Sequence, residues 1–240
     1  MYFLVYGEGN SDIGFQGNNP GPLICALEKL AETVSEEVFS FDYVSRSELG
    51  DIAKSIPKDN KSMRIRGKMN SQPGIILVRR QAQALAIKAK AITDTGVVLF
   101  HDCDYSAKIK NGQRYYEEMV KAAQDGFKQA VFSNGVPMIP NPRSESWLLC
   151  HYQEEPYKNG NYFENLPAND SASGSGKNLL AQFFNCKISE VYRLHIQGED
   201  IDWNRIAAPS FLFFKKRFLH VIQRITHQNI TIPEAETLMK

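Results

Sequence analysis

Short apolar runs alternate with helical repeats along the first 150 residues of the chain. Four runs have the length and the β-branched or aromatic character of buried strands, at 2–6, 38–44, 97–100 and 136–139. The intervening segments are predicted to be helical at 22–34, 45–56, 74–92, 112–130 and 143–150. This alternation predicts an α/β fold with a mostly parallel four-stranded sheet flanked by helices.

The pattern changes after Cys150. Residues 153–178 are polar and rich in Asn, Gly and Ser, which predicts a loop. The remainder has a helical pattern and ends in a helix over 210–226, whose apolar stripe predicts core packing. We therefore expect an α/β domain over 1–150 and a loop and helical extension over 151–240 that packs on it.

The composition argues against several classes of protein. No apolar run approaches the roughly 20 residues of a membrane-spanning helix, and the N-terminus lacks the pattern of a secretory signal. The four cysteines are scattered without a C-x-x-C pair, which disfavours a zinc site. We therefore expect a cytoplasmic protein with reduced thiols and no membrane association.

Positive charge is concentrated in one segment although the whole chain carries a net charge of only +1. Ten Lys and Arg residues and one acid, Asp59, give Lys54–Lys90 a local net charge of +9. A polar loop predicted over 57–74 carries Lys58, Lys61, Arg64, Arg66 and Lys68. Such one-sided charge predicts contact with nucleic-acid phosphates, although a solvated surface is the ordinary meaning of a charge run.

Two glycine-rich turns resemble nucleotide-binding loops but lack required residues. Gly7 and Gly9 follow the first predicted strand, but Asp12 stands where a dinucleotide fingerprint needs its third glycine. A carboxylate there would also repel a pyrophosphate. The later segment Gly174–Lys177 lacks the first glycine and the final Ser or Thr of a P-loop, so we interpret it as a linker.

Acidic residues follow the first and third predicted strands. Glu8 and Asp12 follow strand one, and Asp102 and Asp104 follow strand three. Parallel strands end at one edge of the sheet, and extended residues two apart point to the same side, so the four carboxylates are expected to converge. Their hard oxygen ligands suit Mg²⁺ or Mn²⁺. The alternative is that these acids only cap loops and helix starts.

These two motifs, Glu8–Asp12 and Asp102–Asp104, resemble in order and spacing those of the Toprim domain of topoisomerases, bacterial primases and OLD-type nucleases. The segment Ile139–Leu149 resembles one in small stand-alone Toprim-like proteins, several of which are associated with ATPase partners in anti-phage systems. The segments Ile201–Trp203 and Pro209–Phe211 also resemble that group. The resemblance implies a Toprim-like domain, and the short chain argues against topoisomerase activity.

The resemblance also implies roles for individual residues. It implies that Glu8 is linked to the metal and to acid/base chemistry, that Asp102 and Asp104 hold Mg²⁺, and that Asp12 belongs to the OLD-type pattern. From the residues themselves, Asn141 could cap a helix that has Pro142 at its first position. Glu145 is then either a helix-capping acid or another metal ligand. Arg143 is either a phosphate-binding residue or an ion-pair partner of Glu145.

The leading hypothesis is a Mg²⁺-dependent endonuclease that hydrolyses DNA or RNA. The resemblance to the small stand-alone Toprim-like proteins suggests in addition an effector role in anti-phage defence. The competing hypothesis is a non-catalytic Toprim scaffold that docks an ATPase or another partner, with Phe211 and Phe214 exposed in the interface. Nucleotidyl transfer, as in primases, is a third option without an identifiable nucleotide site. A homo-oligomer is compatible with the sequence, which leaves the oligomeric state open.

Overall fold

The computed structural model describes residues 1–7, 13–14, 20–57, 73–105, 111–152, 159–196 and 198–227. Within these residues four strands form one sheet in which every pairing is parallel. The strands are β1 (Tyr2–Gly7), β2 (Ser40–Tyr43), β3 (Thr95–Phe100) and β4 (Gly135–Met138), in the order β2-β1-β3-β4. The predicted α/β fold with a parallel four-stranded sheet is confirmed, and β1 and β3 are its central strands.

Helices connect and flank the strands. They are α1 (Pro22–Glu32), α2 (Arg46–Ser55), α3 (Pro73–Ala89), α4 (Gly112–Gln129), α5 (Ser144–Tyr152), α6 (Gly160–Phe163), α7 (Gly176–Phe183), α8 (Ile188–Glu190) and α9 (Pro209–Thr226). A π-helical turn over Val191–His195 continues α8, and 3₁₀ turns cover Gly198–Asp200 and Trp203–Arg205. None of the helices in the described residues has both the length and the apolar character required to cross a membrane.

The central strands are apolar throughout because both faces of the sheet are covered. Phe3 and Val5 belong to one hydrophobic cluster, in which α1, α5 and α9 pack against the sheet. Leu4 and Tyr6 belong to the other, which contains the buried faces of α3 and α4. Successive strand residues point to opposite faces, so a strand covered on both sides reads as a continuous apolar run.

The aromatic stripe of α9 is core, as its spacing predicts. Phe211, Phe214 and Phe218 are fully buried, and Trp147 of α5 stacks on Phe214 with ring centroids 5.7 Å apart. The alternative in which Phe211 and Phe214 are exposed in a partner interface is therefore wrong on this point. These C-terminal side chains belong to the same cluster as strand residues of the sheet.

Two predictions of local structure are wrong. The segment 153–178, for which the sequence predicts a loop, contains α6 and the start of α7. Ser175 caps α7, and the high Gly and Ser content around it obscures this helix in the sequence. The predicted helix start at Asn141 and Pro142 is displaced to Ser144. The carbonyls of Pro140 and Pro142 instead accept backbone hydrogen bonds, which keeps this segment beside the chain that follows β3.

Candidate functional site

Three strand ends meet at the carboxyl edge of the sheet, where ligands bind in parallel α/β folds. Gly7 at the end of β1 pairs with Phe100 of β3, and Phe100 pairs with Met138 of β4. The chain segments that leave β3 and β4 therefore start side by side, and they carry Asp102, Asp104, Arg143 and Glu145. Glu8 and Asp12, which follow β1 in the sequence, lie outside the described residues.

Backbone hydrogen bonds extend the β3–β4 contact past the strand ends. His101 N–H donates to Met138 O at 3.1 Å, and Cys103 N–H donates to Pro140 O at 3.1 Å. Asp104 N–H then donates to Pro142 O at 3.2 Å. This ladder holds both aspartates against the start of α5.

The two aspartates are not related by strand alternation, contrary to the prediction. Asp104 has a left-handed backbone with φ 35°, and β3 ends before it, at Phe100. Side chains two residues apart point to the same side only in an extended chain, and the chain is not extended here. The aspartates still converge on one segment, because Asp102 contacts Ser144 and Asp104 contacts Arg143.

Asp102 lies at the amino end of α5. Its Oδ1 accepts a hydrogen bond from the backbone N–H of Ser144 at 3.1 Å, and the side chain is half-buried. The partial positive charge of a helix N-terminus favours an ionised carboxylate at this position. Asp102 therefore has the capping contact that the alternative interpretation of these acids predicts, beside the other acids of the site.

Arg143 joins Asp104 to a carboxylate that the sequence interpretation missed. One guanidinium nitrogen lies 2.5 Å from Asp104 Oδ1, and another lies 2.6 Å from Asp170 Oδ1. Burial alone would lower the pKa of Arg143, but Asp104, Asp170, Asp102 and Glu145 together raise it. Arg143 is thus held as a cation among acids, and its ion-pair role is realised with Asp104 and Asp170.

Lys177 extends this network from α7. Its Nζ lies 3.1 Å from Asp170 Oδ2. Burial alone would lower the pKa of Lys177, but the nearby Glu145 and Asp170 carboxylates raise it. The segment Gly174–Lys177, interpreted from sequence as a linker, therefore brings a lysine to the site.

Glu145 is buried at the centre of this arrangement, with 2 % of its surface exposed. The Tyr192 hydroxyl lies 3.2 Å from Glu145 Oε1, to which it donates a hydrogen bond. A Cβ atom at Gly176 would lie 2.8 Å from Glu145 Cβ, so glycine at the start of α7 permits its close approach to α5. A cavity of about 280 Å³ beside Lys177 and Tyr192 has Leu180 and Val191 on its apolar wall.

We name Asp102, Asp104, Glu145, Asp170, Arg143 and Lys177 the carboxylate cluster. Four carboxylates against two cations leave a formal charge of −2, which a divalent cation would neutralise. The hard oxygen donors fit Mg²⁺ or Mn²⁺ in kind. Within the described residues, however, no three His, Cys, Asp or Glu side chains are grouped closely enough to hold a metal ion.

Several sequence-predicted residues cannot be compared with this geometry. Lys58, Lys61, Arg64, Arg66 and Lys68 lie outside the described residues, as do Glu8 and Asp12. The sequence interpretation in turn missed Asp170, Lys177 and Tyr192, which come from the second part of the chain. A local signal was present for the helix that carries Lys177, although not for its place in the site, because Ser175 precedes an amphipathic segment in the position of a helix N-cap.

A buried polar network holds the segment between β4 and α5 against α9. Glu164 Oε1 accepts hydrogen bonds of 2.6 Å from both the N–H and the hydroxyl of Ser210. Ser210 Oγ in turn accepts from Trp147 Nε1 at 2.8 Å and from Asn141 N–H at 3.3 Å. Glu164 also forms a side-chain hydrogen bond with Asn141. This network ties the segment before Arg143 to α9.

We expect Ser175→Ala to lower the free energy of unfolding by about 1 kcal/mol. Ser175 Oγ accepts hydrogen bonds from the N–H and the side-chain amide of Asn178, and the residue is 2 % exposed. Urea unfolding measures the change, with Ser45→Ala as a control because Ser45 caps α2 through Glu48 N–H, away from the carboxylate cluster. Ser175→Ala as stable as the wild-type chain would contradict the capping role.

Comparison of the chain with protein-family models, curated proteins and solved structures finds no match in any of the three.

Proposed function

We propose that this chain is a Mg²⁺- or Mn²⁺-dependent phosphodiesterase of Toprim type that cleaves nucleic acid. The observation that carries the proposal is that Asp102 and Asp104 contact the start of α5 at the carboxyl edge of the sheet, where Arg143 and Lys177 pair with Asp104 and Asp170 and where Glu145 is buried against α7. A metal-dependent phosphodiesterase needs negative charge to hold the cation and positive charge to bind the phosphate, and this site offers both.

The proposed roles follow from the contacts. Asp102, Asp104 and Glu145 would hold the cation only together with Glu8 and Asp12, which the motif resemblance adds to the site, because the described carboxylates alone are not grouped closely enough to do so. The cation would supply Lewis-acid stabilisation and an activated water. Arg143 and Lys177 would bind the phosphate, which would replace Asp104 and Asp170 as their ion-pair partner. Lys58, Lys61, Arg64, Arg66 and Lys68 would bind flanking phosphates, which makes binding salt-dependent.

A second candidate is a non-catalytic Toprim scaffold that docks an ATPase or another partner. The observation that favours it is the pairing of Arg143 with both Asp104 and Asp170, because its guanidinium group already compensates part of the charge of these two carboxylates. In a scaffold these ion pairs would only fix the β4–α5 connection. Metal binding separates the two candidates, since only the phosphodiesterase requires a specific site for a divalent cation.

We expect calorimetric titration with Mn²⁺ to detect one or more sites in the wild-type chain. Asp102→Asn and Asp104→Asn are each expected to weaken binding by at least about tenfold, because each removes a charged oxygen ligand. Asp125→Asn, which removes an exposed carboxylate on α4, is the matched control and is expected to bind like the wild type. Equal affinities in all four chains, or no binding in any, would contradict the phosphodiesterase proposal and favour the scaffold.

A further inference from the structure

A groove of about 630 Å³ lies at the amino edge of the sheet, opposite the carboxylate cluster. It is formed between the end of α4, the start of β4 and the outer face of α9. Its charged lining residues are Lys128, Arg217 and Arg224, and its apolar ones are Phe127, Val131 and Phe132. We call this surface the basic groove.

The positive charge of the basic groove is concentrated at one point. Ser133 O accepts hydrogen bonds from Arg217 Nη2 at 2.6 Å and from Arg224 Nη1 at 3.0 Å, so the two guanidinium groups converge on one carbonyl. Burial and the charge of Arg224 lower the pKa of Arg217. Among the described residues, neither arginine forms an ion pair with a carboxylate. Helix α9 itself contains no acidic residue.

Val131 places an exposed apolar side chain at the rim of the groove, and the packing of the fold does not explain it. It follows α4 in the left-handed conformation with φ 54°, and its side chain is 82 % exposed. The bonds Val131 N–H to Lys128 O and Phe132 N–H to Phe127 O form the usual helix-ending motif, in which this position is normally glycine. A β-branched residue is strained there and gains nothing by burial, so its exposed side chain is available for a contact with a partner.

We propose that the basic groove docks an acidic segment of a partner protein, in which carboxylates flank an apolar side chain. Paired guanidinium groups match carboxylates, and exposed Val131 with the aromatic wall matches the apolar side chain. A nucleic-acid backbone fits less well, because its charges are spaced along the strand and it offers no apolar group to Val131. Two copies of the groove would bring like charges together, which disfavours a symmetric dimer through it.

The proposal is independent of the proposed phosphodiesterase activity. The groove begins near Gly135 at the start of β4, whereas the carboxylate cluster follows Met138 at its end. A segment bound in the groove would therefore leave the carboxyl edge of the sheet open. Failure of either proposal would say nothing about the other, since the two tests use different residues and different ligands.

The test is fluorescence anisotropy with the full chain and a labelled, end-blocked peptide Glu-Glu-Leu-Glu-Glu at low ionic strength. Wild-type binding is expected, and Arg224→Gln is expected to weaken it at least about tenfold through loss of one guanidinium group. Lys216→Gln removes an exposed charge from the same helix outside the groove and is the matched control, expected to bind like the wild type.

Val131→Gly separates a docking role from a structural one. Glycine adopts the left-handed conformation without strain, so this variant is expected to melt at a higher temperature than the wild type. It is nevertheless expected to bind the peptide several-fold more weakly, because the apolar contact is removed. Peptide binding that is unchanged in Arg224→Gln or in Val131→Gly would overturn the proposal.

Two further outcomes would also overturn it. One is a wild-type chain that does not bind the peptide at concentrations on the order of millimolar. The other is that a labelled oligothymidylate binds where the peptide does not, and that Arg224→Gln weakens this binding. That result would make the groove a nucleic-acid surface. Replacing the central Leu of the peptide by Ser tests the apolar part, and equal affinity of the two peptides would contradict the role of Val131.

Discussion

Replacing Asp102 by Asn is expected to reduce metal-dependent cleavage of nucleic acid by about 10²- to 10³-fold. The variant loses the charge that would hold the cation but keeps the Oδ1 atom that accepts from Ser144 N–H. The amino end of α5 should therefore stay capped, and the melting temperature should remain close to that of the wild type. A large loss of cleavage with an unchanged fold would assign Asp102 to the reaction and not only to capping.

The measurement uses labelled single- and double-stranded DNA and RNA with Mg²⁺ or Mn²⁺, so that each class of nucleic-acid substrate is tested. Asp125→Asn on α4 controls for the loss of one carboxylate and is expected to cleave like the wild type. Cleavage that disappears equally in both variants would indicate a nonspecific charge effect. A wild-type chain without metal-dependent cleavage of any of these probes would favour the scaffold candidate.

The ion pairs of Arg143 determine how much uncompensated negative charge the carboxylate cluster carries before a ligand binds. Asp104 and Asp170 share one guanidinium group, and Lys177 also contacts Asp170, so the described acids are partly compensated before any ligand binds. A phosphate that recruits Arg143 would leave Asp104 with an uncompensated charge and thereby favour a cation beside it. Metal and nucleic acid would then bind cooperatively, with each raising the affinity for the other.

Features that depend on burial could be predicted from the sequence. β1 and β3 are apolar on both faces because helices cover both faces, and the stripe of α9 repeats because one side of that helix meets the sheet. The edge at which Asp102 and Asp104 emerge followed from the same reasoning. These properties are determined by hydrophobic periodicity, which a single sequence displays directly.

Features that depend on tertiary contacts could not be predicted. Lys177 reaches the site because Gly176 lets α7 approach Glu145, and composition alone made this segment look like a linker. Asp170 and Tyr192 come from segments without a motif, and their partners are many residues away along the chain. The left-handed turn at Asp104 likewise depends on the ladder to Pro142 and not on a local signal.

Glu164 is expected to make the stability of the protein depend on pH. Its side chain is 5 % exposed, and burial raises its pKa from 4.5 to about 7, although the hydrogen bonds from Ser210 and Asn141 oppose the shift. The unfolded chain loses this proton near pH 4.5, whereas the folded protein keeps it up to about pH 7. The stabilising contribution is therefore complete below pH 4.5, falls as the pH rises, and is lost above about pH 7.

Glu164→Gln should remove this dependence, because an amide does not titrate and its oxygen can still accept from the Ser210 N–H and hydroxyl. The difference in unfolding free energy between wild type and variant is expected to change by about 3 kcal/mol between pH 4.5 and pH 7, in favour of the variant at the higher pH. Urea unfolding at about pH 5 and about pH 8 measures most of this change.

The sign of the change is the decisive part of this measurement. Other titrating groups contribute equally to wild type and variant, so they cancel when the two pH dependences are subtracted. Glu37→Gln removes an exposed carboxyl and controls for the loss of one acidic group. Parallel curves for wild type and Glu164→Gln would mean that Glu164 has the same pKa in the folded and the unfolded chain, so that it is ionised at neutral pH. The network that ties Asn141 to α9 would then contain a buried carboxylate rather than a neutral acid.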